Sequence, residues 1–412
     1  MPNTHPDGGT PLHPIRRLGC RAYQLVFRVA LPVLPYRQPK LLDTLEEIPP
    51  LLTDKGIHSI LLVADGGVYD LGLTRTLEQS LDAAGIACAV YLQRTPNPTI
   101  DNVEAAREAY VQSGAQAIVA VGGGSAMDCA KVAGARIARP RKSVQRMRGL
   151  LHVLRRTPLL IAVPTTAGTG SETTLAAVIT DAATRHKYPI NDFALIPDVA
   201  VLDARLTLGL PPRITATTGL DALTHAVEAY IGRSTTRLTR AMAEEAVVLI
   251  HENLRAAYED GRNEQARRSM LRAAYCAGIA FTRSYVGYVH GLAHALGGQY
   301  GIAHGLANAV ILPRFLRVYG DACVPALARL SRKAGIASAE QTDAQAAEAF
   351  IRWIEAMNRD FGLPTGFAEI REDDIPTMAS HADRECNPLY PVPRLMDRRE
   401  LETMLHALKE DA

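Results

Sequence analysis

The chain has 412 residues, of which 47% are hydrophobic and 21% are charged. These values exclude a disordered chain and provide enough apolar material for cores in two or three domains. The formal net charge is only +2, and aromatic residues make up 5%. Charge therefore gives no argument for nucleic-acid or membrane binding, and we expect neither as a partner.

The six cysteines are scattered, and no two of them form a C-x-x-C pair. This distribution indicates neither a thiolate metal site nor a disulfide framework, so a reducing cytoplasm is the expected location. The longest apolar segment, Tyr23 to Tyr36, is interrupted by polar residues and proline and is too short to span a bilayer. We interpret residues 1–20 as a loose tail, and residues 21–36 as an apolar element that docks on the body or on a partner subunit.

Strand-like and helical segments alternate from residue 59 onward. Short continuous apolar runs separated by helical spacing are typical of βαβ units, in which a parallel sheet is buried on both faces. The predicted strands are Ser59–Ala64, Ala87–Leu92, Ala117–Val121 and Leu159–Val163, and the predicted helices between them are Thr74–Ala84, Asp101–Ser113 and Ser125–Ala138.

The pattern changes after about residue 205, where long helical periodicity replaces the strand-like runs. Runs of one element type followed by runs of another indicate separate domains. We therefore predict an extension over residues 1–38, an α/β domain over 39–208 and an all-helical domain over 209–412. The predicted helices of the last part are Ile214–Ile231, Leu238–Gly261, Asn263–Phe281 and Ala344–Phe361.

Two glycine-rich loops follow successive predicted strands. The first reads Gly122-Gly123-Gly124-Ser125, and the second is the PTTAGTGSE run that begins at Pro164. Glycines at the start of a helix let the backbone approach a phosphate, although a plain tight turn explains the first loop about as well. Two such loops at the carboxyl ends of neighbouring strands favour a nucleotide site.

Asp65 ends the first predicted strand of this sheet. A carboxylate at that position accepts hydrogen bonds from ribose hydroxyls and repels a 2′-phosphate, which favours NAD over NADP. The alternative is a turn-forming aspartate in front of two glycines.

Aspartate and histidine cluster in two later helical segments. Asp221 and His225 have i, i+4 spacing, His290 and His294 repeat it, and His304 follows in a loop. Spacing of this kind places both side chains on one helix face, and buried groups of this type need a partner. Satisfied core histidines are the alternative to a metal site. One carboxylate and several imidazoles suit Fe(II), Zn(II), Co(II) or Ni(II).

A basic stretch from Arg136 to Arg156 contains eight basic residues and no acidic one. It either attracts an anion, such as the cofactor phosphates, or forms a solvated face between two strands.

Five motifs together resemble the iron-containing, or group III, alcohol dehydrogenases. The resemblance extends in order from about Leu41 to about Gly362. The motifs are GGGSAMDCAK (Gly122–Lys131), PTTAGTGSE (Pro164–Glu172), GLDALTHAVEAY (Gly219–Tyr230), HGLAHALGGQYGIAHG (His290–Gly305) and PNPTIDNV (Pro96–Val103).

The resemblance implies a dehydroquinate-synthase-like pair of domains: an α/β dinucleotide-binding domain with a parallel sheet facing an all-α metal-binding domain across a cleft. It implies that His294 lies close to the nicotinamide and the substrate, as the catalytic histidine. The implied metal ligands are Asp221, His225, His290 and His304. The implied cofactor contacts are Gly122, Gly123, Gly124, Ser125, Thr165, Thr166 and Thr169. To these contacts we add Asp65 and Asp128.

The segment in front of His290 departs from the family pattern, which more often carries Asn and small residues there. We expect Phe281, Arg283 and Tyr285 to shape the substrate pocket. The N-terminal extension also lies outside the usual core of the family.

The resulting prediction is a metal-dependent alcohol dehydrogenase. It exchanges hydride reversibly between a small alcohol or aldehyde and NAD, with Fe(II), or Zn, Co or Ni in its place, and forms a homodimer or larger homo-oligomer. The alternatives are a dehydroquinate-synthase-like lyase, a zinc-dependent polyol oxidoreductase of the glycerol dehydrogenase type, and a non-catalytic metal or nucleotide sensor. The stretches around Asp221 and His290 contain few of the Lys and Arg residues that the lyase needs.

Overall fold

The computed structural model describes residues 14–95, 97–182 and 186–412. The first 13 residues of the predicted tail, and Pro96 of the PNPTIDNV motif, lie outside the described residues. Contacts divide the chain into two compact units, each discontinuous in sequence. Unit 1 takes the chain up to Leu34, Ala216–Glu252 and Arg283–Ala412, and unit 2 takes Pro35–Thr215 and Asn253–Thr282. The predicted domain boundaries, after residues 38 and 208, remain a prediction.

Unit 2 is built on a six-stranded sheet in which every pair of neighbours is parallel. The strands run in the order β1, β9, β6, β4, β2, β3, and β5, β8 and β7 form a second, three-stranded sheet. Their bounds are β1 Lys40–Leu42, β2 Ser59–Asp65, β3 Ala87–Gln93, β4 Ala117–Gly122, β5 Gly149–Leu150, β6 Leu159–Pro164, β7 Ala176–Asp181, β8 His186–Asn191 and β9 Val199–Val201.

The four predicted strands are confirmed as β2, β3, β4 and β6, each to within one residue at either end. Alternate residues of β2 enter different cores: Leu61 and Val63 pack on one face, and Ile60 and Leu62 on the other. This is the two-sided burial that continuous apolar runs predict. The second sheet was not predicted: β5 spans only two residues and β8 mixes polar with apolar residues, while the apolar run Ala176–Ile179 of β7 was not assigned to a strand.

Helices make up the rest of the fold, and those of residues 212–410 follow one another with no named strand among the described residues. The α/β and all-helical composition confirms the predicted fold class. The α-helices are α1 Pro14–Ala30, α2 Ile48–Asp54, α3 Gly66–Asp70, α4 Arg75–Ala83, α5 Ile100–Ser113, α6 Gly124–Ala138, α7 Pro212–Ile231, α8 Arg237–Glu259, α9 Glu264–Ser284, α10 Tyr288–Tyr300, α11 His304–Tyr319, α12 Val324–Lys333, α13 Asp343–Asp360, α14 Ile375–Cys386 and α15 Arg398–Glu410.

The N-terminal helix α1 corrects the prediction of a loose tail, because residues 14–20 are helical. Its inner face docks on unit 1: Gln24 Nε2 donates to Tyr390 O at 2.8 Å, and Arg16 pairs with Asp383 at 2.7 Å. These contacts are remote in sequence, so local periodicity gave no sign of them. Docking of the apolar element on the body is confirmed.

No helix within the described residues is both long enough and apolar enough to cross a membrane.

Candidate functional site

The two glycine-rich loops leave the same edge of the six-stranded sheet. β4 and β6 pair in parallel with Gly122 opposite Pro164. Thr165 N donates to Gly122 O at 3.0 Å, which ties the loops together. A Cβ added to Gly124 would lie 3.1 Å from Thr169 Cγ2, so the loops are also packed against each other.

Gly122 occupies a position that requires glycine. Its φ is +154°, and an added Cβ would lie 2.8 Å from Ala126 Cβ and 2.9 Å from Asp65 Cβ. Gly123 then caps α6, and the position of its missing Cβ is 3.8 Å from Thr166 Oγ1. The first-turn N–H groups of α6, including that of Ser125, therefore face the loop side, as an anion site requires.

A buried lysine fixes the far end of the second loop. Lys131 Nζ donates to Ser171 Oγ at 2.9 Å, to Thr174 Oγ1 at 2.9 Å and to the carbonyls of Thr174 and Ala176. Burial lowers the pKa of Lys131 to about 8. The loop is thus held by a cation that sequence analysis did not identify as functional.

Asp128 lies in the same buried network. Its Oδ1 accepts from Ser171 Oγ at 2.9 Å, and its Oδ2 accepts from Val178 N at 2.9 Å. Desolvation raises the pKa of this carboxyl. Both oxygens are engaged within the protein, which makes Asp128 part of the loop's support.

Asp65 serves as the N-cap of the short helix α3. Its Oδ1 accepts from Gly67 N at 2.9 Å and from Val68 N at 3.3 Å. Its Cβ neighbours Gly122, so the carboxylate stands at the carboxyl edge of the sheet beside the first loop. The structure therefore gives Asp65 the turn-forming contact, at a place that also suits a ribose.

In unit 1, three helices bring aspartate and histidine together. Asp221 and His225 lie one turn apart on α7, His290 lies on α10, and His304 is the first residue of α11. Gly305 allows α11 to start against α7, because an added Cβ would lie 2.5 Å from Thr217 O.

Ligand atoms of Asp221, His225, His290 and His304 all lie within 4.8 Å of one another. His304 Nε2 is 3.6 Å and His290 Nε2 is 4.0 Å from Asp221 Oδ1. The rings of His225 and His290 stack with centroids 4.4 Å apart. One carboxylate and three imidazoles converging in this way suit a divalent transition metal.

His290 shows that the cluster fits a metal. Its Nδ1 lies 2.6 Å from Glu228 Oε2, so the carboxylate holds the proton on Nδ1 and leaves a lone pair on Nε2. That Nε2 is buried and has no hydrogen-bond partner among the described residues. Burial, and then His225 and His304, hold the pKa of His290 well below its ordinary value, so the imidazole is neutral.

Glu228 also organises the start of α10. Its carboxylate accepts from Gly287 N at 2.8 Å and from Val289 N at 3.0 Å. Burial raises its pKa to about 7, against the effect of these N–H groups. One side chain thus caps α10 and orients His290.

Asn308 connects Asp221 and His304 one helical turn into α11. Its Nδ2 donates to Asp221 Oδ1 at 2.7 Å and lies 3.1 Å from His304 Nε2. The contact fixes the carboxylate with respect to the histidine.

His294 lies beside the cluster but is not in the four-residue set. Its ring stacks on that of His304 at 5.2 Å, and its side chain is 42% exposed, against 3% for His290. His294 Nδ1 lies 2.6 Å from Glu385 Oε1, which also accepts from Tyr390 Oη at 2.8 Å. His294 therefore has an oriented ring and access to water, as a proton relay needs.

The three predicted substrate-pocket residues fall around the end of α9. Phe281 and Arg283 lie in its last turn, and Tyr285 follows with a left-handed φ of +61°. The Tyr285 ring is 6.2 Å from that of Tyr390, the partner of Glu385. Tyr285 is thus connected through two side chains to His294.

Side chains of the basic stretch form hydrogen bonds within the stretch itself and with the neighbouring helix α5. Arg136 donates to Glu104 and to Lys142 O, and Lys142 Nζ donates to His152 O at 2.6 Å. It begins near the far end of α6, where Arg136 is ~18 Å from Gly124 of the first loop at 1.5 Å per residue. These contacts favour a solvated face over a cofactor-phosphate site.

Sequence analysis missed the residues that orient the others. Glu228 stands three residues after His225, and Asn308 four after His304, so helical spacing could have identified both. Lys131 likewise follows Asp128 by three on a helix of small residues. Glu385 is 91 residues from His294, and no local signal pointed to it.

Comparisons with known proteins agree with this geometry. The family model for iron-containing alcohol dehydrogenase matches residues 42–204, and the C-terminal model of the Fe-containing alcohol dehydrogenase family matches residues 215–409. Alcohol dehydrogenase 4 of Saccharomyces cerevisiae (strain YJM789) is 37% identical over 84% of this chain and 91% of its own. NAD-dependent methanol dehydrogenase of Bacillus methanolicus is 35% identical over 82% and 89%.

A crystal structure of 1,3-propanediol oxidoreductase superposes with a TM-score of 0.86 at 34% identity, covering 90% of this chain and 98% of that one. These relatives are named as oxidoreductases of alcohols, which does not favour the lyase alternative. The chain belongs to the iron-containing alcohol dehydrogenase family.

Proposed function

We propose that this protein is an NAD-linked alcohol dehydrogenase that oxidises a small alcohol reversibly to an aldehyde or ketone. The observation that carries the proposal is the convergence of four ligand atoms, from Asp221, His225, His290 and His304, within 4.8 Å. The names of its relatives, which include a methanol dehydrogenase and a lactaldehyde reductase, support a small substrate.

Asp221, His225, His290 and His304 are the proposed ligands of Fe(II), and Zn, Co or Ni suit the same donors. A divalent ion held by these four side chains would supply Lewis-acid chemistry to the oxygen of an alcohol or carbonyl group. The single carboxylate leaves the site one net positive charge, because the imidazoles bind in their neutral form. Glu228 supports this by keeping the His290 proton on Nδ1.

The glycine-rich loops of unit 2 are the proposed NAD site. The backbone N–H groups at Gly123, Gly124 and Ser125 bind the pyrophosphate at the start of α6. Thr165, Thr166 and Thr169 supply hydroxyls from the second loop, and Asp65 accepts from the ribose. NAD held there would supply the hydride chemistry. Asp128 and Lys131 hold the second loop in place.

His294 is the proposed proton carrier between the substrate and water. Glu385 fixes its ring through Nδ1, which leaves Nε2 to receive or return a proton. Phe281, Arg283 and Tyr285 are proposed to shape the substrate pocket.

We place the enzyme in the cytoplasm, because its six cysteines are scattered along the sequence and no two of them form a C-x-x-C pair. We also propose that it works as a homodimer or larger homo-oligomer.

The test is metal analysis of the isolated protein together with NADH formation on a panel of methanol, ethanol, 1,2-propanediol, 1,3-propanediol and glycerol. Wild type should contain close to one metal per chain and turn over at least one of these alcohols with NAD. Asp221→Ala should lose both the metal and the turnover, because the three neutral imidazoles that remain, without a carboxylate, hold a divalent ion less well.

His406→Ala is the matched control, since His406 is a half-exposed histidine of α15 that pairs with Glu372. It should retain metal and turnover. If Asp221→Ala keeps full metal content and activity, the ligand assignment is wrong; if fully metallated wild type reduces no NAD with any alcohol, the proposed function is wrong.

A further inference from the structure

The outer face of α1 carries a strip of exposed apolar side chains, which we call the α1 strip: Ile15, Leu18, Ala22, Leu25, Val26 and Val29. Ile15 is 75%, Leu18 72% and Val29 71% exposed. Its size, on the order of 600 Å², is at the upper end of the largest apolar patches of monomeric proteins. No described residue covers it, and a surface of this size marks an interaction site.

The inner face of α1 is already occupied. Cys20 and Gln24 are buried against unit 1, and Arg21 donates to Val392 O and Pro393 O at 2.8 and 2.9 Å. At 100° per residue, the α1 strip lies on the opposite side of the helix from Cys20 and Gln24. A partner can therefore pack on the strip without displacing α1 from the body.

The spacing within the strip is that of a coiled-coil seam. Ile15, Leu18, Ala22, Leu25 and Val29 are separated by three, four, three and four residues. This assigns Ile15, Ala22 and Val29 to heptad position a, and Leu18 and Leu25 to position d. β-Branched Ile15 and Val29 at a, with leucine at d, are the combination that favours two strands in a parallel coiled coil, and Ala22 places a small residue at the central a layer.

The charges of α1 select the same arrangement. The helix has four arginines and no acidic residue, and two of them, Arg21 and Arg28, occupy position g. In a parallel pair, position g faces position e′ of the second helix. For Arg21 this is Val26, and for Arg28 it falls beyond the end of α1 at Ala30, so no like charges meet. In an antiparallel pair g faces g′, and arginine would oppose arginine, which is unfavourable.

We propose that α1 pairs in parallel with α1 of a second copy of this chain. Two copies of the strip would bury on the order of 1,200 Å² in total, the lower limit for a specific interface. The pair is therefore a weak, concentration-dependent contact, or one part of a larger interface. It goes beyond the proposed catalytic function and does not depend on it.

The first experiment is sedimentation velocity of the full chain over a dilution series. Leu18→Glu/Leu25→Glu should shift the concentration for half-association at least tenfold upward, because the variant places carboxylates at both d layers. Arg17→Glu is the control: it makes the same charge change of −2 on an exposed part of α1 outside the strip, and it should associate like wild type.

The second experiment reports the orientation. Val29→Cys should give a covalent dimer under copper-phenanthroline, because a-position residues of a parallel pair face each other within disulfide reach. In an antiparallel pair, position a packs against d′, so the two copies of residue 29 would be over ~20 Å apart, and only a mixture of Ile15→Cys and Leu25→Cys chains would cross-link. Arg17→Cys should not cross-link.

Three results would overturn the inference. The first is an unchanged association of Leu18→Glu/Leu25→Glu. The second is binding of wild type to phosphatidylglycerol vesicles that this variant loses while its mass stays the same, which would make a membrane the occupant. The third is association that appears only after deletion of residues 1–13, which would mean that the chain's own N-terminus covers the strip.

Discussion

The histidine cluster of unit 1 and the glycine-rich loops of unit 2 achieve binding by different means. In the cluster, side chains carry the chemistry: Asp221, His225 and His290 are each at most 4% exposed, and a second layer of side chains orients them. In the loops, the backbone carries it, and the special residue, Gly122, has no side chain at all. A change of side-chain chemistry should therefore be severe in unit 1 and mild in unit 2.

Among residues outside the four proposed ligands, the largest effect is expected at His294. His294→Ala should keep the metal but lower kcat by about 10²–10⁴-fold, the usual loss when a proton carrier is removed. Metal content, the pH–rate profile and rescue by added imidazole are the measurements. Glu385→Gln retains the ring and should give a smaller decrease. If His294→Ala loses the metal, His294 is a metal ligand. If its rate is unchanged, His294 contributes only to packing.

Glu228 tests whether the second layer of the cluster matters as much as the ligands. Glu228→Gln should weaken metal affinity by about 10–100-fold, because the amide no longer fixes the proton on His290 Nδ1. Competition with a chelator, followed by the absorption spectrum of the Co(II) form, measures this. Glu385→Gln, at a histidine outside the four-ligand set, should leave affinity unchanged. Equal affinities in wild type and Glu228→Gln would contradict the assigned role.

A milder change is expected at Asp65 in unit 2. Asp65→Asn keeps the N-cap of α3 and removes the charge that repels a 2′-phosphate. The preference for NAD over NADP should narrow about fivefold, equivalent to ~1 kcal/mol for a charge pair in water. Steady-state kcat/KM with each cofactor measures it. Asp70→Asn is the control, and a wild type that prefers NADP would remove the basis of the prediction.

The smallest effect concerns an ion pair outside both ligand sites. Arg205 forms hydrogen bonds with Glu46 at 2.8 and 2.6 Å and lowers the pKa of that carboxyl to about 2. Both groups are over 40% exposed, so Glu46→Gln should lower the free energy of unfolding at pH 7 by at most ~1 kcal/mol.

The sign of the pH dependence follows from the lowered pKa. The stabilisation by Glu46 is complete above the ordinary value of 4.5 and is lost as pH falls towards about 2. Urea unfolding of wild type and Glu46→Gln between pH 7 and pH 2 should therefore show a difference in the free energy of unfolding that becomes smaller as the pH falls. A difference that stays constant would mean that the ion pair is not its cause.

Much of unit 2 could be predicted because a parallel sheet buried on both faces imposes a local pattern. The apolar runs that correspond to β2, β4 and β6 each end at a glycine or a polar loop. The sequence therefore predicted both where these strands end and where the loops begin. Strands β1 and β8 were not predicted, because β1 has only three residues and β8 mixes polar with apolar residues; the apolar run Ala176–Ile179 of β7 was present but was not assigned to a strand.

The sequence by itself determined which helices carry Asp221, His225 and His290, since i, i+4 spacing is a property of a single helix. It placed His304 in a loop, and the structure corrects this, because His304 is the first residue of α11. Only the tertiary structure decided that Glu228 meets His290 and that Glu385 meets His294, across 62 and 91 residues. It also decided that residues 14–20 join a helix docked on unit 1. The physical reason is that local periodicity fixes which face a side chain occupies, whereas the packing of distant segments fixes what that face touches.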